Sequence, residues 1–134
     1  MKLNYQEMAV KHAVLMKIGD LTLPRKVSVA IARNLVLFEN EFKLLDEQKK
    51  DIANRYADKD ENGNFIVNDN KYTFKSDVDK EDFTREIKEL NEVEIDLDIM
   101  MFNEDELGYC EKNDRYDILT PVQEAALEWM ITYQ

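Results

Sequence analysis

Residues 24–57 read PRKVSVAIARNLVLFENEFKLLDEQKKDIANRYA, and after Pro24 this segment contains neither glycine nor proline. Large side chains recur at alternating steps of four and three residues, with only Lys49 breaking the series: Ile31, Leu35, Phe38, Phe42, Leu45, Ile52 and Tyr56. This spacing is typical of a helix with one apolar seam. We therefore predict a helix of about 33 residues and about 50 Å. Its seam packs against other helices of this chain or, in a homodimer, of a second copy.

Shorter helices are predicted on both sides of the long one. Asn4 opens a capping box, and Gly19 follows the last apolar residue of the helix that begins there. Thr120 opens a second capping box, whose helix is expected to bury Val122, Ala126, Trp129, Met130 and Tyr133. Between these two, a helix capped by Asp77 or Asp79 places three apolar residues on one face: Phe83, Ile87 and Leu90.

The remaining segments predict short strands and one irregular stretch. Residues 65–67 and 72–74 flank a polar turn, which is typical of a hairpin. In residues 93–99 apolar side chains alternate strictly with Glu94, Asp96 and Asp98, so we predict a strand with one buried face. Residues 103–117 are acidic and predict irregular structure. The pattern indicates an α+β, helix-dominant fold with a small antiparallel sheet, organised as a single domain over residues 1–134.

The charge is concentrated in the middle of the sequence. The net charge is −11, and residues 58–117 alone carry eight basic and twenty acidic side chains. Such a segment repels nucleic-acid phosphates and anionic lipid and attracts basic surfaces. No apolar run reaches the ~20 residues that cross a bilayer, no signal peptide is evident, and a single Cys excludes an internal disulfide. These features predict a soluble protein, cytoplasmic in a bacterial host or associated with a virion.

Most catalytic and cofactor sites cannot be assembled from the reactive residues of the sequence. Its three glycines form neither common phosphate-binding motif, and one His with one Cys falls short of a zinc site. Ser28 and Ser76 lie outside a nucleophile elbow. His12 and Cys110 form a dyad only if the fold brings them together, and acidic neighbours disfavour a reactive thiolate at Cys110. We therefore predict a protein without enzymatic activity and without a cofactor.

One motif predicts calcium binding as an alternative. The oxygen-bearing residues of an EF-hand loop occur at alternate positions before a glycine, and the corresponding residues here are Asp58, Asp60, Asn62, Gly63 and, at the twelfth position, Asp69. However, the ninth position is Ile66, which has no side-chain ligand, and a hairpin replaces the expected exit helix. The competing interpretation is a polar turn whose side chains bond the local backbone.

The acidic residues of positions 94–106 are the candidate partner-binding residues: Glu94, Asp96, Asp98, Glu104, Asp105 and Glu106. The first three are expected on one strand face at steps of about 6.6 Å. Three interpretations remain open for them. They form the solvent-exposed face of an amphipathic strand, a metal site, or a row of anions that imitates a nucleic-acid backbone.

Several stretches taken in order resemble a family of short phage and prophage proteins from Gram-positive hosts, to which no activity is assigned. The matching stretches are residues 23–26, 31–35, 55–60, 63–64, 89–95 and 119–131. In that family the Asp-rich turn is a junction between helix and hairpin, which favours the polar turn over calcium. The resemblance implies a phage context and supplies no catalytic residue.

Together these observations predict a non-catalytic protein that binds another protein, as an accessory or assembly factor for phage structural parts. An alternative is an acidic inhibitor that imitates nucleic acid and occupies the basic groove of a host nuclease or defence complex. A calcium-binding module is the third possibility. Neither nucleic acid nor membrane is expected as a direct partner, and a homodimer is possible.

Overall fold

The computed structural model describes residues 1–133. It has the predicted α+β, helix-dominant fold. In chain order the elements are β1 (Lys2–Leu3), α1 (Tyr5–Ile18), α2 (Arg25–Tyr56), β2 (Val67–Asn68), β3 (Lys71–Tyr72), α3 (Asp77–Glu92), β4 (Ile95–Asp96), β5 (Phe102–Asn103), α4 (Asp105–Lys112), α5 (Pro121–Ala126), a 3-10 helix (Glu128–Met130) and β6 (Ile131–Thr132).

The long helix α2 confirms the prediction made from its apolar spacing. It has 32 residues, and four seam residues are buried within the chain itself: Ile31, Phe38, Leu45 and Ile52. The seam is therefore occupied by intramolecular packing. Within residues 1–133, neither α2 nor another helix is both long and apolar enough to cross a membrane.

The chain folds into two compact units. The terminal unit comprises Met1–Asn40 and Glu94–Gln134, and the middle unit comprises Glu41–Val93. Helix α2 contributes residues 25–40 to the terminal unit and 41–56 to the middle unit. The single-domain organisation stays a prediction.

The terminal unit is built around α1 and the first half of α2. The predicted capping box is present, because the Asn4 side chain accepts a hydrogen bond from the Glu7 amide and the Glu7 carboxylate accepts one from the Asn4 amide. The fully buried core side chains of this unit include Met8, Leu15, Val27, Phe38, Leu127 and Met130. Two small sheets complete the unit, with β1 antiparallel to β4 and β5 parallel to β6.

One polar side chain connects α2 by hydrogen bonds to the segment that precedes β5. Asn34 is 1% exposed and is the one buried polar residue among the described positions. Its Nδ2 donates to the Met100 carbonyl at 3.0 Å, and its Oδ1 accepts from the Met100 amide at 2.8 Å. The side-chain amide of Asn34 thus pairs with the backbone of Met100 in the way that a neighbouring strand would. Both the Asn34 side chain and the Met100 backbone therefore have hydrogen-bond partners.

The middle unit combines the second half of α2 with a hairpin and α3. Strands β2 and β3 form the predicted antiparallel hairpin, but each has two residues and lies closer to the turn than the predicted 65–67 and 72–74. Asp69 and Asn70 form the turn with φ values of 52° and 61°. Positive φ at both turn positions matches the twist of a hairpin, and Asp and Asn tolerate it. A chain of ring contacts, with centroids 5.1–5.8 Å apart, joins the hairpin to α3 through Phe65, Tyr72, Phe83 and Phe74.

Three local predictions differ from the structure. The cap of α3 is Ser76, whose hydroxyl accepts from the Asp79 amide at 3.2 Å, and not Asp77 or Asp79. Residues 103–117 are not irregular throughout, because α4 occupies Asp105–Lys112. The last helix ends at Ala126, and two residues expected in its buried stripe are exposed, Val122 at 79% and Tyr133 at 58%.

The predicted strand 93–99 is shorter than its alternation suggested. Only Ile95–Asp96 pairs, because the partner strand β1 has just two residues. The alternation describes the two faces only in part: Leu97 is buried and Glu94 and Asp98 are exposed, but Val93, expected on the buried face, is 52% exposed.

Candidate functional site

The candidate site is a pocket of about 400 Å³ in the terminal unit, here called the acidic pocket. It is lined by Glu104, Leu107, Gly108, Glu111, Pro121, Glu124, Ala125, Glu128, Ile131 and Tyr133. Four of these ten residues are glutamates. Among the described residues 1–133, the lining of this pocket includes no basic side chain.

Two helical faces with the same spacing form the walls of the acidic pocket. Positions 104, 107, 108 and 111 belong to α4 and its N-cap, and positions 121, 124, 125 and 128 belong to α5 and the start of the 3-10 helix. Both sets follow the i, i+3, i+4, i+7 rule for one face of a helix. Each wall therefore presents two glutamates together with smaller or apolar residues.

Local hydrogen bonds begin each wall at a fixed residue. The Asn103 side chain accepts from the Asp105 amide at 2.9 Å, where α4 begins. Thr120 and Gln123 form the predicted capping box at the start of α5. Since a cap satisfies amide groups that the helix cannot, these residues explain why two such short helices begin where they do.

The parallel pair β5–β6 holds the two walls together. Phe102 pairs with Ile131 and Asn103 with Thr132. The Glu104 amide adds a hydrogen bond of 3.0 Å to the Thr132 carbonyl. Phe102 and Ile131 are buried, so the sheet also anchors the pocket to the core of the terminal unit.

The electrostatic environment of the pocket is negative. The pKa of Tyr133 is raised above its ordinary value by desolvation and by the carboxylates of Glu128, Glu104 and Glu124. Negative charge opposes formation of a phenolate, and it favours a positively charged group in the same place. The pocket is therefore suited to a cation that also has an apolar part, because Leu107, Pro121 and Ala125 contribute apolar lining.

The structure distributes the predicted residues 104–106 over different surroundings. Glu104 lines the acidic pocket. Asp105 is exposed in the first turn of α4, where a carboxylate stabilises the N-terminal end of a helix. Glu106 lies 3.6 Å from the Lys26 ammonium, with its own side chain 17% exposed, so its charge is partly neutralised.

The acidic residues at 94–98 lie outside the pocket lining. Glu94 and Asp98 are exposed. The Asp96 carboxylate is 3.2 Å from the ammonium group of Met1. The six predicted acidic residues therefore do not form one continuous set, and only Glu104 among them reaches the pocket.

Sequence reasoning missed three of the four pocket glutamates: Glu111, Glu124 and Glu128. The helical spacing of Glu104, Leu107, Gly108 and Glu111 was a usable signal, and Glu124 and Glu128 are separated by one helical turn. That the two sets meet in one pocket could not be predicted from the sequence, because it depends on the parallel pairing of β5 with β6.

In the Asp-rich turn of the middle unit, Asp60 and Asp58 each accept hydrogen bonds from the protein itself, whereas Asp58 Oδ1 is buried without a partner among the described residues. Asp60 Oδ1 accepts from the Asn62 and Asn64 amides at 2.9 and 3.0 Å. Asp58 Oδ2 accepts from the Thr73 hydroxyl at 3.1 Å, and Asp69 lies in the hairpin turn. No group of three or more His, Cys, Asp or Glu residues suited to a metal ion occurs within residues 1–133. These contacts are those of a polar turn, and the calcium site stays a prediction.

We expect the Asp60→Ala variant to lose about 1 kcal/mol of unfolding free energy, because two backbone amides lose their acceptor in a solvent-exposed turn. We expect millimolar calcium to leave the thermal midpoint of the wild-type protein unchanged, since Asp60 Oδ1 and Asp58 Oδ2 would have to give up their hydrogen bonds to the protein. Thermal unfolding followed by circular dichroism checks both results. Glu61→Ala, in the same turn, is the control. A midpoint that rises with calcium in the wild type and not in Asp60→Ala would contradict the polar-turn interpretation.

His12 and Cys110 have separate environments in the terminal unit. The His12 Nε2 atom is 3.2 Å from the Glu39 carboxylate. Cys110 is 5% exposed, and its pKa is raised chiefly by burial, with Glu111 also raising it. A buried thiol with a raised pKa is a poor nucleophile at neutral pH.

Comparisons of the chain with protein families, with curated proteins and with solved structures gave no match.

Proposed function

We propose that the chain is a non-catalytic recognition protein that binds a basic surface of another protein through its acidic pocket. The observation that carries this proposal is the convergence of four glutamates on one concave site with apolar lining. A lysine or arginine side chain matches both properties, because its alkyl stem packs on apolar groups while its charged end meets carboxylates.

The energetics of such a site favour fast and salt-sensitive binding. All four glutamates are solvent-exposed, so each ion pair contributes only about 0.2–1 kcal/mol. Several pairs acting together nevertheless steer the approach of a basic partner, and salt screens that attraction within about 8–10 Å. The net charge of −11 acts in the same direction.

The phage role is a further part of the proposal. The resemblance to short phage and prophage proteins supports an accessory or assembly factor, with a phage structural protein as the basic partner. The second candidate is an inhibitor of a basic nucleic-acid-binding host protein. Glu94 and Asp98, exposed in the terminal unit, favour it because they add negative charge there.

A pull-down with matched charge variants tests the recognition proposal. The immobilised wild-type chain is incubated with extract from infected host cells and washed at increasing salt. The pocket variant is E111Q/E124Q/E128Q, and the control E61Q/E81Q/E92Q makes the same charge change in the middle unit. We expect the pocket variant to retain about tenfold less partner, equivalent to ~1.4 kcal/mol, while the control binds like wild type. Equal retention by both variants would contradict the proposal.

Competition distinguishes the two kinds of partner. A duplex DNA oligonucleotide should displace the chain from a nucleic-acid-binding host protein, because both occupy one basic groove. The same oligonucleotide should leave a complex with a phage structural protein intact.

A further inference from the structure

The terminal unit carries a second concave surface, along its part of α2. Two hollows of about 490 and 450 Å³ share Val29 in their lining. The first lies on α2 and is lined by Val29, Ala32, Arg33, Val36, Leu37 and Asn40. The second lies between the start of α2 and β5, and its lining is completed by residues 100–103 with Arg25, Lys26 and Glu106. All these residues belong to the terminal unit, and we call the two hollows together the α2 groove.

The floor of the α2 groove is apolar and open to solvent. Val36, Met101 and Met100 are 54%, 42% and 38% exposed, and Val29 is half-buried. Exposed apolar side chains grouped inside a polar rim mark a surface that contacts another molecule. The backbone of Met100 is fixed by its two hydrogen bonds to Asn34, whereas methionine side chains adjust easily to different partner shapes. The groove is therefore preformed in its backbone and adaptable in its side chains.

Two arginines give the α2 groove an uncompensated positive charge. Arg25 and Arg33 are exposed, and neither forms an ion pair with another described residue. Lys26 and Glu106 also line the groove, but they lie 3.6 Å apart, so each compensates the other. Among the described residues, no other acidic side chain lines either hollow. The groove is thus positive in a chain whose net charge is −11.

The acidic residues closest to the groove in the sequence lie outside its lining. Glu39 is the single acidic residue within positions 25–40, and its carboxylate is 3.2 Å from His12 of α1. Asp98 and Asp105 flank the second wall in the sequence, and both are exposed to solvent outside the lining. Water and salt screen such exposed charges. A carboxylate that enters the groove can therefore still gain from both arginines.

The dimensions of the α2 groove suit a helix. Residues 25–40 extend about 22 Å along α2, which is about four helical turns. Arg25 and Arg33 are eight residues apart and so about 12 Å apart along the axis. A helix lying beside α2 reaches both arginines when two of its carboxylates are seven or eight residues apart. An apolar stripe between those carboxylates then covers the floor, which is the usual way in which an amphipathic helix binds a groove.

Two other kinds of anionic partner match the groove less closely. Nucleic acid and anionic membranes present many closely spaced phosphates, and a chain with a net charge of −11 repels them. Nucleic-acid phosphates also offer nothing apolar to an exposed valine and two methionines. A peptide helix brings only a few carboxylates and supplies the apolar face as well.

We propose that the α2 groove binds an acidic amphipathic helix of a partner protein. The apolar face of that helix packs on Val36, Met100 and Met101. Its carboxylates pair with Arg25 and Arg33, whose planar guanidinium groups can each donate two parallel hydrogen bonds to a carboxylate. Among the described residues none lines both this groove and the acidic pocket, so the proposal stands separately from the recognition of a basic partner.

Fluorescence anisotropy with a designed peptide tests the proposal. The probe is a fluorescein-labelled, alanine-based helix of about 18 residues, roughly 27 Å long, enough to cover the groove. It carries leucines on one face and two glutamates eight residues apart beside them. In a second peptide two glutamines replace the glutamates. We expect the full chain at physiological salt to bind the glutamate peptide about tenfold more tightly than the glutamine peptide.

Matched charge variants locate the site of binding. R25Q/R33Q should bind the glutamate peptide about tenfold more weakly than the wild type and the glutamine peptide equally well. K17Q/K112Q is the control, because it removes the same charge from two exposed lysines of the terminal unit outside the groove. It should bind both peptides like the wild type. The pocket variant E111Q/E124Q/E128Q should do so too, which separates this result from the recognition of a basic partner.

Matched apolar variants test the floor. Val36→Asp should weaken binding of both peptides at least tenfold, because it places a carboxylate against the leucines. Val10→Asp, at a valine that is 59% exposed on α1, is the control and should bind like the wild type. Met101→Asp provides a second test if circular dichroism shows that Val36→Asp is not folded.

Four results would overturn the proposal. The first is a glutamate peptide bound no more tightly than the glutamine peptide. The second is equal binding of the glutamate peptide by R25Q/R33Q and K17Q/K112Q. The third is unchanged binding by both Val36→Asp and Met101→Asp. The fourth is wild-type binding to phosphatidylglycerol vesicles or to duplex DNA that R25Q/R33Q abolishes while its peptide binding stays the same, since the groove would then serve a membrane or a nucleic acid.

Discussion

Replacing Phe38 by alanine should lower the free energy of unfolding by about 3–5 kcal/mol, the usual range for a large aromatic side chain in a core. Phe38 is 0% exposed, and its ring centroid lies 6.0 Å from that of Trp129. The substitution leaves a cavity between α2 and the 3-10 helix of the terminal unit. Trp129 is the single tryptophan, so its fluorescence during urea unfolding reports the loss directly.

The matched control for this variant is Tyr109→Ala. Tyr109 is an aromatic residue of the same unit that is 53% exposed, so its loss should cost less than about 1 kcal/mol. Equal destabilisation by Phe38→Ala and Tyr109→Ala would mean that the seam of α2 does not form the core of the terminal unit.

Replacing Asn34 by leucine should destabilise the protein by about 2–4 kcal/mol, because the amide and the carbonyl of Met100 both lose their partner away from water. Leucine keeps the branched shape but is larger, so the effect combines the loss of the two hydrogen bonds with a cost of overpacking. Urea unfolding measures it. Asn40→Leu is the control, since Asn40 is exposed on the same helix. An Asn34→Leu variant as stable as the wild type would show that the pairing of Asn34 with Met100 does not stabilise the fold.

The Asn34→Asp variant adds a dependence on pH. A protonated carboxyl can still accept from the Met100 amide and donate to the Met100 carbonyl, whereas a carboxylate cannot donate. Burial raises the pKa of such a carboxyl. The stabilising contribution of the protonated side chain to the fold is therefore present at low pH and is lost as the pH rises. The deficit relative to wild type should therefore grow as the pH rises above about 4. A deficit that shrinks over this range would contradict the pairing.

The sequence specified elements whose causes are local. The seam of α2 could be predicted because every turn of the helix repeats the apolar spacing, and the capping boxes at Asn4 and Thr120 could be predicted because both partners lie within three residues. The burial of Asn34 could also have been predicted from the sequence. Asn34 is three residues after Ile31 and four before Phe38, and so lies on the buried side of the helix.

Features that depend on distant pairing could not be read in this way. Helix α4 has eight residues, and its apolar side chains are few, so its helical form depends on packing of residues such as buried Cys110. The length of β4 is limited by β1, more than ninety residues earlier in the chain. The acidic pocket has the same origin, since Glu104 and Glu128 meet only where β5 pairs with β6.

Zero-length cross-linking with a carbodiimide in extract from infected host cells tests recognition through the acidic pocket most directly. The reagent joins a carboxylate to a lysine amine that touches it, and mass spectrometry identifies both residues. We predict that cross-links to the partner map to Glu104, Glu111, Glu124 and Glu128. Cross-links confined to carboxylates of the middle unit, such as Glu61 and Glu81, would contradict the account.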